Sequence, residues 1–161
     1  PDFRAAERTF QVLTQVAGRA GRGETQGRVV LQTYNPEHPC IAAARTQQYG
    51  AFFTWELANR RATGYPPFTH LALVRISAPD EQLAARTAAQ TGVSLGPGPA
   101  RVLGPVPSPL ARLRGRFRHQ ILLKASTRKQ LRQSLALLAP ETTFLSAGVR
   151  CAVDVDPMDF L

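Results

Sequence analysis

Two arginines at a fixed spacing give the clearest chemical signal in the N-terminal third of the sequence. Residues 15–22 fit the pattern Q-x-x-G-R-x-x-R. Glycines should end a helix within this segment, so that Arg19 and Arg22 leave the backbone together, and guanidinium groups bind phosphate oxygens in pairs. The spacing predicts that Arg19 and Arg22 reach a phosphate group. The alternative is a glycine-rich helix end with two solvated arginines.

A second row of arginines occupies alternate positions in the C-terminal half. It comprises Arg112, Arg114, Arg116 and Arg118. In extended backbone every second side chain lies on the same face, about 6 to 7 Å apart, so we expect all four guanidiniums to point the same way. We predict that this row and Lys124 contact nucleic-acid phosphates rather than bases. A solvated surface loop and an intramolecular docking surface are the alternatives.

The charge of the chain is concentrated around this row. The 161 residues include 20 Lys and Arg against 11 Asp and Glu, a net charge of +9. Residues 82–140 contain basic residues and no acidic one, while the rest of the chain is nearly neutral. A balance of this kind favours phosphate-containing partners.

Several classes of protein are excluded by composition. No apolar run approaches the roughly 18 to 20 residues of a membrane span, and no signal-peptide pattern is present, so we expect no membrane partner. Cys40 and Cys151 are far apart and lack further ligands at metal-binding spacing, which predicts no metal site and fits the reducing cytoplasm. Because the sequence starts at Pro1 rather than Met, we expect a piece of a longer protein.

The elements that must position these arginines fall into two segments. Asp2 should cap a helix with an apolar stripe that includes Phe10 and Leu13. Residues 27–34 are predicted to form a buried strand, and residues 41–57 to be mostly helical. The prolines in the segment 64–68 exclude helix or central strand there, which predicts a domain junction and two domains, 1–61 and 62–161.

The second segment predicts strand, helix, strand, strand, helix, strand. Prolines 107 and 109 should end the second strand, and period-2 alternation marks residues 117–125 as a half-buried strand. Thr127 and Gln130 form a capping box for the second helix. This βαββαβ order is that of ferredoxin-like folds, with both helices on one face of an antiparallel sheet and an open face opposite. The predicted fold class is α/β in the α+β sense.

The segment 15–22 matches motif VI of superfamily-2 helicases, and the rest of the chain extends the resemblance. The whole sequence resembles the C-terminal end of the PriA family, the bacterial primosomal replication-restart helicases. The matching segments are Pro1–Arg4, Gln15–Arg22, Pro36–Pro39, Pro66–Phe68, Leu103–Pro105, Arg116–Arg118 and Asp154–Pro157.

The resemblance implies that residues 1–61 are the end of a RecA-like helicase lobe, and that residues 62–161 form a domain similar to a ribosomal small-subunit protein. It further implies that Gln15, Arg19 and Arg22 face ATP, with Arg19 and Arg22 in catalytic roles. Family members are ATP-dependent 3′-to-5′ DNA helicases that use ATP and Mg²⁺ and carry zinc. This chain has no G-x-x-x-x-G-K-[ST] loop and no zinc ligands, so by itself it is expected to be inactive.

The resemblance also implies partners. It favours stalled or branched DNA forks as the ligand of the basic residues, with recruitment of other primosome proteins and reloading of the replicative helicase. Arg128 and Arg132 correspond to a site for the acidic C-terminal tail of single-stranded-DNA-binding protein, against the alternative of two solvated arginines. Two rival functions remain open, a sheet-based RNA-binding module and a protein-docking domain without DNA binding.

Overall fold

The computed structural model describes residues 2–20, 28–138 and 148–160. These residues divide into two compact units, Asp2–Thr63 and Gly64–Leu161, called here the N-terminal and the C-terminal unit. No helix in these ranges is long and apolar enough to cross a membrane.

In the part of the chain that the structure describes, the N-terminal unit contains three helices. Asp2 lies three residues before the first helix, and its Oδ1 atom accepts a hydrogen bond from the backbone N–H of Arg4 at 2.9 Å in the turn that leads into the helix. In the predicted apolar stripe Phe10 is buried and Leu13 is half-buried, and the Phe10 ring stacks on Phe52 with 4.3 Å between the centroids. The helices are α1 (Ala5–Ala20), α2 (Pro39–Arg45) and α3 (Tyr49–Thr63).

The strand predicted at residues 27–34 is wrong for the part that the structure describes. Residues 28–34 have no regular secondary structure, and Val30 is 81% exposed. A strand needs a neighbouring strand to satisfy its backbone N–H and C=O groups. The described residues of the N-terminal unit include no other strand.

Over its described residues, the C-terminal unit is an antiparallel sheet with two helices. The strand order is β2-β3-β1-β4, which is the order of a ferredoxin-like fold. The mixture of helices and antiparallel sheet confirms the predicted α+β class. The elements are β1 (His70–Ala78), α4 (Glu81–Leu95), β2 (Arg101–Leu113), β3 (Arg116–Ala125), α5 (Arg128–Ala136) and β4 (Arg150–Val155).

Local signals place the two helices of this unit. Asp80 caps α4, accepting from the N–H of Leu83 at 2.8 Å, and Thr127 caps α5, accepting from the N–H of Gln130 at 3.2 Å. Alternate residues of β1 and β3 face the helices and form the main core. The buried members of that core include Ala72, Val74, Ile76, Ala88, Leu95, Ile121, Leu123 and Leu131.

The opposite face of the sheet is only partly open, which corrects the expectation of a fully open face. At one end Leu71 and Leu73 are fully buried. Lys124, which lies beside Leu71 in the sheet, has its Nζ atom 3.3 Å from the centre of the Tyr65 ring. Tyr65 in turn contacts the buried Phe160. The chain segments at the two ends of this unit therefore cover one end of the face.

The second strand is longer than predicted. It continues through Pro107 and Pro109 to Leu113, with register shifts between Leu103 and Val106 and between Pro107 and Arg112. Because β2 is an edge strand bonded only to β3, a proline there removes no hydrogen bond from a central ladder. The prolines therefore do not end the strand.

Candidate nucleic-acid interface

The arginine row folds back on itself at a tight turn. Arg114 and Gly115 connect β2 to β3 and have positive φ angles of 49° and 75°. Two consecutive residues with positive φ form the hairpin turn that matches the twist of the flanking strands. Arg116 therefore lies opposite Leu113 in the hairpin rather than farther along one extended segment.

This turn separates the predicted arginines, so the expectation that all four share one face is wrong. Arg112 lies directly opposite Phe117, and residues opposite each other in an antiparallel pair share a face. The guanidinium carbon of Arg112 is 5.1 Å from the centre of the Phe117 ring. Arg116 and Arg118 alternate with Phe117 along β3, so their side chains lie on the other face.

Four arginines meet at the open end of that other face. They line a cleft of about 490 Å³ whose described lining contains no acidic residue. We call it the arginine cleft, and the fourth arginine comes from β4, the strand on the far side of β1. Its lining residues are Ser77, Leu113, Arg114, Arg116, Arg118 and Arg150.

Arg116 is the most constrained of the four. Its Nη2 atom donates to the backbone oxygen of Ser77 at 2.8 Å and also to the backbone oxygen of Gly148. Its Nε atom donates to Ser77 Oγ at 3.3 Å. These bonds join the start of β3 to the end of β1 and to the turn before β4. Arg116 therefore holds the wall of the cleft in place.

Lys124 lies at the opposite end of β3 from the arginine cleft. It follows Arg118 by six positions along the strand, a distance of about 20 Å. Its ammonium group packs on Tyr65, and burial lowers the pKa of Lys124, with Arg101 lowering it further. The structure therefore does not bring Lys124 together with the arginines with which it was predicted to act.

Two residues of the cleft, Ser77 and Arg150, were not predicted. Both are single polar residues within strands, and no local pattern distinguishes them. Ser77 lies opposite Arg118 on one side and opposite Arg150 on the other. The signal that could have found them is the ferredoxin-like strand order, which places β4 and β3 on either side of β1.

The two arginines of the predicted tail site lie on α5. Arg128 is the first residue of the helix; its side chain is 71% exposed and lies 3.8 Å from Asp156. Arg132 follows one turn later and is also exposed. The positions of both side chains allow a further anionic partner to approach.

The motif residues of the N-terminal unit lie at the end of α1. Gln15 and Arg19 are exposed and four residues apart, so they share one side of the helix. Within the described ranges no acidic side chain pairs with Arg19. Arg22 lies outside the described residues.

A network of charged side chains fixes α1 against α3. Glu7 on α1 accepts from Arg4 at 2.9 Å and from Arg60 on α3 at 2.9 Å. Arg60 also donates to the buried Glu56 at 2.7 Å. These hydrogen bonds, that from Arg4 most strongly, lower the pKa of Glu7 to about 2 although burial opposes the shift.

Neither cysteine belongs to a metal site in the described part of the chain. No group of three or more His, Cys, Asp or Glu side chains there could hold a metal ion. Burial raises the pKa of both Cys40 and Cys151, which keeps the thiols protonated. Both residues act as packing groups, Cys40 between the helices and Cys151 beside the sheet core.

Comparison of the sequence with known proteins assigns the chain to a family. The family model of the primosomal protein N C-terminal domain matches residues 61–158. The chain is 45% identical over 134 residues to the replication restart protein PriA of Bacillus subtilis, covering 81% of this chain and 17% of that protein.

Similar relationships hold across distant bacteria. The chain is 40% identical to PriA of Treponema pallidum, covering 100% of this chain and 25% of that protein. It is 37% identical to PriA of a Synechocystis species, covering 98% of this chain and 19% of that protein. The chain thus spans a quarter or less of the length of these relatives. It belongs to the PriA family and matches the C-terminal part of its members.

Proposed function

We propose that this chain serves in replication restart by binding branched or stalled DNA forks through the arginine cleft. The observation that carries the proposal is the convergence of four arginines, from β3, β4 and the hairpin turn, on one cleft whose described lining residues include no acidic one. Guanidinium groups bind phosphate oxygens with two hydrogen bonds each and remain charged at any physiological pH. By binding the fork, the chain helps to recruit the other primosome proteins and to reload the replicative helicase.

The chemistry of the cleft favours recognition of the DNA backbone. Among the residues that the structure describes, the lining has no aromatic ring on which a base could stack, and Phe117 lies on the other face beneath Arg112. The same observation argues against an RNA-binding module, which stacks bases on aromatic residues of the sheet. Leu113 is the only apolar side chain among the described lining residues, which argues against a protein-docking groove. Contacts to phosphates suit a ligand that is recognised by its branched structure.

Forked-DNA binding measured against salt tests this proposal. The test variant carries Arg114→Ala, Arg118→Ala and Arg150→Ala, and retains the structural Arg116. The control variant carries Arg45→Ala, Arg86→Ala and Lys129→Ala, three exposed positions outside the cleft, so that both variants lose the same charge.

We expect the test variant to bind more weakly and its plot of log affinity against log salt to flatten. Each lost phosphate contact reduces the slope by about 0.9, so the three together remove up to about 2.7. The control should keep a slope close to that of the unmodified chain. Equal slopes for the test variant and the unmodified chain would contradict the proposal, as would an equal loss in the control.

For the longer protein we further propose that Gln15, Arg19 and Arg22 contribute to an ATP site. The exposure of Gln15 and Arg19 on one side of α1 supports this, because both can reach a ligand held by another part of the protein. Bound ATP with Mg²⁺ would supply the phosphoryl group whose charge such arginines stabilise. The role of this chain is to orient the side chains. The ion pair between Glu7 and Arg60 fixes α1, the helix that carries Gln15 and Arg19.

We also propose that Arg128 and Arg132 bind the acidic tail of single-stranded-DNA-binding protein. Both are exposed in the first two turns of α5. The ion pair of Arg128 with Asp156 is long and solvent-exposed, and exposed pairs of this kind contribute little energy. A carboxylate of the tail can therefore replace Asp156 at low cost.

A further inference from the structure

Ser77 occupies the centre of the arginine cleft. It lies on β1, directly opposite Arg118 of β3 and directly opposite Arg150 of β4. Residues opposite each other share a face, and neighbouring strands are about 4.8 Å apart. The Cα atoms of Arg118 and Arg150 are thus separated by about 10 Å, with Ser77 between them. Long guanidinium side chains on both sides can reach an anion placed above Ser77.

The hydroxyl group of Ser77 is oriented by Arg116. Ser77 Oγ accepts a hydrogen bond from Arg116 Nε at 3.3 Å, and Arg116 also binds the Ser77 backbone oxygen at 2.8 Å. A hydroxyl group that accepts through its oxygen still has its own hydrogen to donate. With a cation on the accepting side, the hydrogen is directed away from Arg116 and can be donated to a ligand. Arg116 is therefore a positioning residue in this arrangement.

We propose that Ser77, Arg118 and Arg150 form a seat for a single phosphodiester group of DNA. The Ser77 hydroxyl donates to one phosphate oxygen, and the two guanidiniums approach the group from opposite sides. This inference rests on the proposed function and specifies the residues that make the central contact. It assigns a binding role to two residues, Ser77 and Arg150, that lie outside the arginine row of the sequence.

A phosphate group fits this arrangement better than the carboxylates of an acidic peptide. Donors arrive from three different strands, and the tetrahedral phosphate presents oxygens in several directions, whereas a carboxylate is planar. A peptide would also need apolar surface to hold its chain, and the described part of the cleft has one apolar side chain, that of Leu113. The cleft volume of about 490 Å³ accommodates a phosphate with its flanking sugars.

The substitution Ser77→Ala tests the seat without changing any charge. We expect the affinity of the 161-residue chain for forked DNA to fall about three- to tenfold, the loss typical of one hydrogen bond, with an unchanged salt slope. Ser77→Thr keeps the hydroxyl and should restore most of the affinity. Ser126→Ala, at an exposed position outside the cleft, is the matched control and should bind as the unmodified chain does. Circular dichroism verifies that each variant is folded.

The single substitution Arg150→Ala completes the test. We expect it to weaken binding and to reduce the salt slope by about 0.9. If the triple arginine variant binds poorly while Ser77→Ala and Arg150→Ala bind like the unmodified chain, the seat is refuted and DNA binding by the cleft stands. If the triple variant also binds normally, the proposed function itself fails. If an acidic peptide loses affinity for the Ser77→Ala variant while forked DNA does not, the choice of a phosphodiester as the ligand is wrong.

Discussion

The carboxylate of Glu7 should stabilise the N-terminal unit in a pH-dependent way. It joins Arg4 on one side to Arg60 of α3 on the other, both at 2.9 Å. These contacts lower the pKa of Glu7 from its ordinary value of 4.5 to about 2. Because Glu7 lies on α1, its ion pairs also hold the helix that carries Gln15 and Arg19.

The magnitude follows from the pKa difference between the folded and unfolded chains. One pKa unit corresponds to about 1.4 kcal/mol. The shift therefore sets an upper bound of about 3 kcal/mol on the contribution of Glu7 to the free energy of unfolding. The side chain is 25% exposed, and screening by solvent reduces the value to about 1 to 2 kcal/mol. A carboxylate with a lowered folded pKa stabilises the fold above its unfolded pKa. Its contribution is lost as the pH falls from 4.5 to about 2.

Urea unfolding followed by tryptophan fluorescence measures this effect. The single tryptophan, Trp55, lies in α3 with its ring 6.2 Å from that of Phe52, so its emission reports on the N-terminal unit. At about pH 7 we expect Glu7→Gln to lower the free energy of unfolding by about 1 to 2 kcal/mol. The difference from the unmodified chain should shrink towards zero as the pH approaches 2.

The control is Glu37→Gln, which neutralises an exposed carboxylate in the same unit and should change stability little. A stability difference for Glu7→Gln that stays constant between neutral and acidic pH would refute the linkage argument. No difference at neutral pH would show that the ion pairs do not stabilise the unit.

Two further predictions concern the packing of α5 within the C-terminal unit. Ser134→Ala should lower the free energy of unfolding by about 1 to 3 kcal/mol, measured by urea unfolding and circular dichroism, because the buried N–H of Ala100 loses its acceptor at 2.9 Å. A variant as stable as the unmodified chain would contradict this role. Gly98→Ala should cost about 1 to 3 kcal/mol in the same assay, since its Cβ atom would lie 2.4 Å from Ser134 Oγ and 3.0 Å from Ser134 Cα. Gly18→Ala, with nothing within 4 Å of the added atom, is the control, and an equal loss there would argue against a steric cause.

Local patterns predicted much of the C-terminal unit. Capping by Thr127 and the alternation along β3 depend on residues close in sequence, and the structure contains both. The length of β2 could not be predicted in this way, since a proline is tolerated or excluded according to the strand's place in the sheet. Residues 28–34 were predicted as a buried strand because they include an apolar run. That run does not show whether a neighbouring strand exists to pair with it, so the local pattern could not decide the matter.

The candidate site was predicted in part. Arg114, Arg116 and Arg118 lie in the cleft, but Arg112 does not, because a turn at Arg114 and Gly115 reverses the chain. An arginine followed by glycine was the available signal for that turn. Ser77 and Arg150 join the cleft through strand pairings distant in sequence. Their register depends on packing of the whole sheet, which no local pattern contains.

The most direct test of the arginine cleft compares two single substitutions, Arg150→Ala and Arg112→Ala, in forked-DNA binding across a range of salt concentrations. Each removes one arginine from the C-terminal unit, one inside the cleft and one on the opposite face of the hairpin. We predict that Arg150→Ala weakens binding and reduces the salt slope by about 0.9, while Arg112→Ala leaves both close to those of the unmodified chain. A loss for Arg112→Ala equal to or larger than that for Arg150→Ala would contradict the assignment of DNA binding to the cleft.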